Sequence, residues 1–438
     1  MKKLNPYIIA FLFAGLPLFG QTKFKQEDLI RAAEYSKNTG GAAVLVMQND
    51  KIIFEQYHNG ANETTVTHLH SATKAFWSAI AALALQKGLI TSYDELVSNT
   101  ITEWQNTTTH PNKKLIKIRH LLSLSSGLSQ DVEKIQGEDA TAKDIYQYVV
   151  DSLKLVTAPG TVFQYGPSHY YAFGVLLQRK LHSKGIQLNP LQYLENEVLN
   201  KIGLQYDKWT HDPSGNPHIP NGCYLTPRNW VKFGKFMLQE GRWDTTQIID
   251  SNMIKNMFIA DGPNPGHGKF CWINAIDGYG YSTQMAAPSG SLGGFMYYYG
   301  FNEIIGALGA GKNRMYIIPS IDAIIIRQTL QEEDTFDDNI FLSFMLDKFT
   351  SVEMEVKDTK DTYISPNPVS DYIEINAGVN CNFTLPEIRI YNVYGDCVKI
   401  VESGLRPVST EKIDVSELPP GIYFMKINKQ FKNFLVVR

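Results

Sequence analysis

Ser71 and Lys74 stand three residues apart at the head of an apolar stretch that runs from His70 to Gln86 and stops at Gly88. Three residues along a helix is one turn, so the hydroxyl and the amine share a face. With the serine at the helix N-terminus, its oxygen sits where the helix dipole favours a developing negative charge. Ala75, Ile80, Ala81, Ala82, Leu83, Ala84 and Leu85 leave almost no polar face, which predicts a buried helix. Burial penalises the charged form of a lysine and lowers its pKa towards that of a useful base. A hydroxyl with such an amine one turn away is suited to acyl transfer through a serine ester. The spacing recurs at Ser409 and Lys412, but that copy leads into a strand-like run with no apolar helix behind it. No chemistry is expected there.

Other segments offer the remaining parts of a site. Pro159 and Gly160 open a turn that leads to Tyr165, Gly166, Pro167 and Ser168. A tyrosine there can share a proton with Lys74 and relay it to a leaving group; the plainer alternative is a buried loop tyrosine. Gly309, Ala310, Gly311 and Lys312 follow one strand-like run and precede another. Glycine at a strand edge admits a substrate carbonyl to the backbone, where a free N–H completes an oxyanion hole. No helix and no Gly-Lys-Ser/Thr follows these glycines, so they are not a phosphate loop. His68 and His70 lack a third ligand nearby and make a poor zinc site, so no metal is expected. The stretch from Ser123 to Gly127 lacks the first glycine of a Gly-x-Ser-x-Gly elbow.

These residues need a scaffold. The chain has 438 residues, of which 43% are hydrophobic and 19% charged, enough for one large domain and a lesser one. A net charge of −3 without a basic block gives no footprint for nucleic acid. Lys2 and Lys3 precede an apolar run from Tyr7 to Phe19, with Gly20 after it, which predicts a cleaved secretory leader over 1–20. No later run is long and apolar enough to span a bilayer. Strand-like runs at 42–47 and 51–57 flank Asn49 and Asp50 and predict a hairpin. Further runs at 304–308, 315–318 and 323–328, with helices at 27–36 and 338–349, suggest one antiparallel sheet built from both ends of a 21–352 domain, with a helical insert. A charged linker is expected over 353–361. Beyond it, short alternating runs at 372–376, 387–391, 397–401, 421–427 and 434–437 predict a small all-β sandwich over 362–438. Four cysteines divide two and two between these domains. They permit disulfides Cys223–Cys271 and Cys381–Cys397, or four unpaired buried thiols.

With these parts in order, the chain resembles the serine β-lactamase and penicillin-recognising family, in particular its class C-like esterases and 6-aminohexanoate-dimer hydrolases. The resemblance rests on the segments 70–76, 88–97, 118–128, 222–234 and 309–319 and covers roughly 25–350. It implies an α+β fold of the β-lactamase/transpeptidase type, an antiparallel sheet flanked by helices with a helical subdomain. It implies Ser71 as nucleophile, Lys74 as its proton acceptor and Tyr165 as the second relay member, with no cofactor. One oxyanion donor would be the N–H of Ser71 and the other an N–H just after the third box.

Two departures shape the expected substrate. The family's Tyr-x-Asn is here Tyr165-Gly166-Pro167, so an amide that would hold a substrate carbonyl is missing, with Ser168 as a candidate substitute. The third box, Gly309-Ala310-Gly311, has no basic side chain, although Lys312 follows. A small ester or amide without a carboxylate is therefore expected rather than a β-lactam. The alternatives are a catalytically silent binding protein of the penicillin fold, and a D-alanyl-D-alanine peptidase, for which Arg314 would hold the carboxylate, or a β-lactamase. The tail, with Ser365-Pro-Asn-Pro-Val-Ser-Asp371, the run from Ile413 to Phe424 and the closing Val-Val-Arg438, resembles a type IX secretion C-terminal sorting domain. It implies the type IX machinery as partner and a secreted or cell-surface destination.

Overall fold

The computed structural model describes residues 24–105, 110–274, 296–297, 301, 303–330, 335–350, 363–365, 369–376, 388–392, 397–401, 410–427 and 430–437. The expected leader and the 353–361 linker lie outside them.

Asn49 and Asp50 both take positive φ, 51° and 60°, the mirror-image turn that a two-residue hairpin needs. They join Gly41–Gln48 to Lys51–Tyr57. The hairpin is one edge of a six-stranded antiparallel sheet. Its strand order is Lys51–Tyr57, Gly41–Gln48, Ala323–Thr329, Arg314–Ile318, Ile305–Leu308, Trp272–Ile273. Both ends of the domain thus meet at the centre of the sheet, as the strand-like runs imply. Every residue of Ala323–Thr329 is buried, because both faces are covered. Arg327 reaches Ser36 in the helix Gln26–Asn38, whereas Ile324, three residues away and so on the other face, meets Gly234 in the helix Pro227–Leu238. The helix Asp338–Thr350 packs beside Gln26–Asn38.

The apolar run after Ser71 is buried from Phe76 to Ala84. Its head departs from expectation: the α-helix covers only Phe76–Gln86, and His70–Ala75 is a 3₁₀ turn. Such tightening is common at helix N-termini and places residues i and i+3 in eclipse. A short ladder that periodicity could not reveal pairs Thr67–His68 with Cys223–Leu225, and Leu69 N–H donates to the Cys223 carbonyl at 2.9 Å. It ties the lead-in of the Ser71 segment to residues 218–225.

Cys223 and Cys271 are buried free thiols, and Cys397 is free and exposed, so the unpaired alternative holds for these three. Cys381 lies outside the described residues. The tail forms one sheet from Tyr363–Ser365, Tyr372–Asn376 and Thr410–Asp414 and a second from Cys397–Val401, Ile388–Asn392, Gly421–Ile427 and Gln430–Val436. Ile373 and Ile413 of the first share a core with Ile388, Ile390 and Met425 of the second, as a sandwich requires. Lys412 of the second Ser-x-x-Lys lies within the strand Thr410–Asp414, and Ser409 lies outside the described residues.

Candidate active site

The 3₁₀ turn stacks Lys74 over Ser71. Lys74 Nζ donates to Ser71 Oγ at 2.9 Å and to the Pro220 carbonyl at 3.1 Å. The lysine is only 8% exposed while Ser71 stays partly open to solvent. Burial lowers the lysine pKa to about 7, and no described carboxylate pairs with the amine. A buried amine near neutrality and in contact with a hydroxyl is chemically a base with its proton donor in place. His70, just before the serine, has φ of 50°, a conformation that costs roughly 1–2 kcal/mol in a residue other than glycine. Its ring lies 3.8 Å from that of His68, whose Nε2 contacts the Asn221 carbonyl at 2.5 Å. The His68 ring is packed and hydrogen-bonded and the His70 ring packs on it, and no metal-binding cluster occurs among the described residues.

Tyr165 lies beside this pair. Its ring centroid is 5.0 Å from Lys74 Nζ and 5.6 Å from the Trp272 ring. The loop that carries it is pinned by buried polar side chains that sequence reasoning missed. His169 Nε2 is 2.7 Å from the Gln164 carbonyl and its Nδ1 is 2.8 Å from Ser126 Oγ, an arrangement met by the Nε2–H tautomer. Gln130 Oε1 accepts from Ser168 N–H at 3.2 Å. It also sits 2.0 Å from where a Cβ at residue 166 would lie, which is why Gly166 is required. The segment 118–128 is visible in the sequence as a motif, but its task of docking the tyrosine loop is not. Gln164 N–H donates to Leu124 O at 2.8 Å and Gly160 N–H to Ser125 O at 2.7 Å. Ser168, expected as a stand-in for the missing amide, is 0% exposed and donates to the Ser129 carbonyl at 2.5 Å. It turns inwards and holds the loop.

Residues 309–312 press against the segment that carries Ser71. A Cβ on Gly309 would lie 2.1 Å from Leu69 O and 3.1 Å from Ala72 N, so glycine is what allows the approach. Its own N–H is engaged, donating to Asn313 O at 2.8 Å. The N–H groups of Ser71 and Ala310, each at the start of a 3₁₀ turn, donate to no described residue. Asn313 Nδ2 bonds the His68 and Ala310 carbonyls at 3.2 and 3.0 Å. Arg314 is 1% exposed and fully engaged. Its Nη1 donates to Gly309 O at 2.7 Å and its Nε to Asp338 Oδ1 at 2.6 Å. It supports the loop from behind and does not offer its charge to a substrate. Lys312 has φ of 62° and its carbonyl accepts from Arg327 Nη1 at 2.7 Å.

The profile of the Beta-lactamase family matches residues 27–338, and that of the Secretion system C-terminal sorting domain matches residues 363–436. An uncharacterised protein of Alkalihalophilus pseudofirmus is 27% identical over 233 residues, 51% of this chain; the chain spans 66% of that relative, just under two thirds. A Bacillus anthracis structure assigned by name to the 6-aminohexanoate-dimer hydrolases superposes with a TM-score of 0.54 at 16% identity, covering 74% of this chain and 83% of its own. A Bacteroides dorei structure named as a beta-lactamase gives 0.58 at 18% identity, covering 75% and 100%. At these identities the structural likeness establishes the fold, which is that of the β-lactamase/transpeptidase type. The tail match marks the chain for type IX secretion, to the cell surface or the medium.

Proposed function

The chain belongs to the beta-lactamase family, and on that premise we propose that it is a serine hydrolase of a small ester or amide, working through an acyl-enzyme on Ser71. The observation that carries this reading is the 2.9 Å contact between Ser71 Oγ and an amine that burial holds near neutrality. Ser71 Oγ attacks the substrate carbonyl carbon while Lys74 Nζ takes its proton. The oxyanion is received by the N–H groups of Ser71 and Ala310, with Gly309 giving the room. Tyr165 passes the proton to the departing alcohol or amine, and water then releases the acyl group.

The substrate's acyl part carries no carboxylate in this reading. Residues 309–311 bring no cation, and Arg314, the arginine a peptidase of carboxyl-terminal substrates would use, is bound to Asp338. Lys312 lies within electrostatic reach of Asp337 and Asp338, which compete for its charge.

Intact-mass spectrometry of the protein with a fluorophosphonate probe tests the nucleophile. One adduct is expected on the wild type and none on Ser71→Ala. A folded wild type that stays unlabelled would sink the reading and leave a binding protein.

A further inference from the structure

Two tyrosine rings close over the amine of Lys74. Its Nζ is 5.0 Å from the centroid of Tyr165 and 5.3 Å from that of Tyr170. Tyr165 has a place in the proposed chemistry; Tyr170 has none so far. Tyr170 sits in the first turn of the helix Ser168–Ser183, fully buried. Its ring stacks on Phe270 with centroids 4.1 Å apart and planes at 25°. With Phe270 on one face, the other face is the one turned to the lysine. The Tyr170 hydroxyl finds no hydrogen-bond partner among the described residues, so what this side chain brings to the site is its ring.

Among the described residues the surroundings of the amine are otherwise uncharged. Its own segment contributes Ser71 and His70, the 218–221 loop the Pro220 carbonyl, and the segment before Trp272–Ile273 the imidazole of His267. Burial holds both imidazoles neutral, pushing His70 to about 4 and His267 to about 3. No described carboxylate faces the amine. An ammonium here has two hydrogen bonds and two aromatic faces where a counter-ion would be expected. A desolvated ammonium over an aromatic face is attracted by the negative charge of that face.

We propose that Tyr170 is a positioning residue for Lys74, its ring face standing in for a counter-ion that no described residue supplies while the lysine carries the serine's proton. The proposal rests on Lys74 as proton acceptor of Ser71. As the bond from Ser71 Oγ to the substrate carbon forms, the proton moves from Oγ to Nζ, and it departs with the leaving group. The ring gives and takes no proton; it lowers the energy of the state in which Nζ bears the charge.

The test is the pH dependence of fluorophosphonate inactivation of the full chain, with two replacements that preserve size. Tyr170→Phe keeps the aromatic face and drops only the unpartnered hydroxyl. Pentafluorophenylalanine in place of Tyr170 keeps the shape and withdraws the face's negative charge. The phenylalanine protein is expected to follow the wild type. In the fluorinated protein the rising limb should move roughly 0.5–1 pH unit lower, with a plateau rate several-fold lower. The proposal falls if the fluorinated limb superposes on that of Tyr170→Phe, or if both replacements shift it equally. A folded wild type that never labels overturns the serine-hydrolase reading instead. Carbon NMR titration of labelled lysine in the same three proteins then decides the ring's role without any reactive serine.

Discussion

Below about pH 7 the amine of Lys74 is charged in both the folded and the unfolded chain, and only the folded chain buries that charge. Between about 7 and the ordinary lysine value of 10.5 the unfolded chain holds a proton that the folded chain has released. Stability therefore rises with pH across this window, and the cost of burial is greatest below it. Lys74→Met, similar in volume and uncharged, is expected to stabilise the fold by roughly 2–5 kcal/mol at pH 6 and by far less at pH 10. Denaturant unfolding of both proteins at the two pH values checks this; a gain independent of pH would refute it. The same substitution removes the base, so labelling of Ser71 should vanish while stability improves. This pair was legible in the sequence because one turn of backbone brings both groups together. Ser168 and Arg314 were not. Their partners, Ser129 and Asp338, lie 39 and 24 residues away, and only tertiary packing decides whether such a side chain faces substrate or scaffold.

At the scale of elements, the distance between the strand Ile305–Leu308 and the turn His70–Ala75 sets the width of the site. Gly309 controls that distance, since a Cβ would meet the carbonyl of Leu69 and the amide of Ala72. Gly309→Ala is expected to push the 309–312 segment away from Ser71 and slow fluorophosphonate labelling roughly hundredfold, because ångström misplacement at a reacting centre costs about that much. Far-UV circular dichroism should show the fold retained. Labelling at the wild-type rate would mean that this segment does not help to form the oxyanion site. Elements with a strong local signal were readable: the hairpin through Asn49 and Asp50, the flanking helices and the three later strands. Trp272–Ile273 and Thr67–His68, at two residues each, carry no period to read. The 3₁₀ geometry at His70–Ala75 was equally hidden, since its residues fit an α-helix as well and long-range contacts from Gly309 and Asn313 crowd it.

Across the whole molecule two hydrophobic cores are distinct, one drawn from residues 29–346 and one from 369–436. Ser71, Lys74 and Tyr165 belong to the domain of the first, and the sorting match covers the second. A chain ended after Thr350 is expected to keep its fluorophosphonate labelling in cell extract and to disappear from the cell surface and medium. Fractionation of producing cells with the probe measures both, and surface display of the truncated chain would deny the tail its role. Both cores were foreshadowed by composition and alternation, but the strand Tyr363–Ser365 was too short to be seen beforehand. Export carries the protein towards oxidising surroundings, where many small domains acquire covalent cross-links. Cys223 and Cys271 take no part in one, and each is sealed in the core of the catalytic domain. This domain thus owes none of its stability to a bond between these two sulfurs, and a reducing agent should leave its melting temperature where it was. The domain can complete its fold before any oxidase reaches it, and the redox poise of its destination should leave these two buried thiols unchanged.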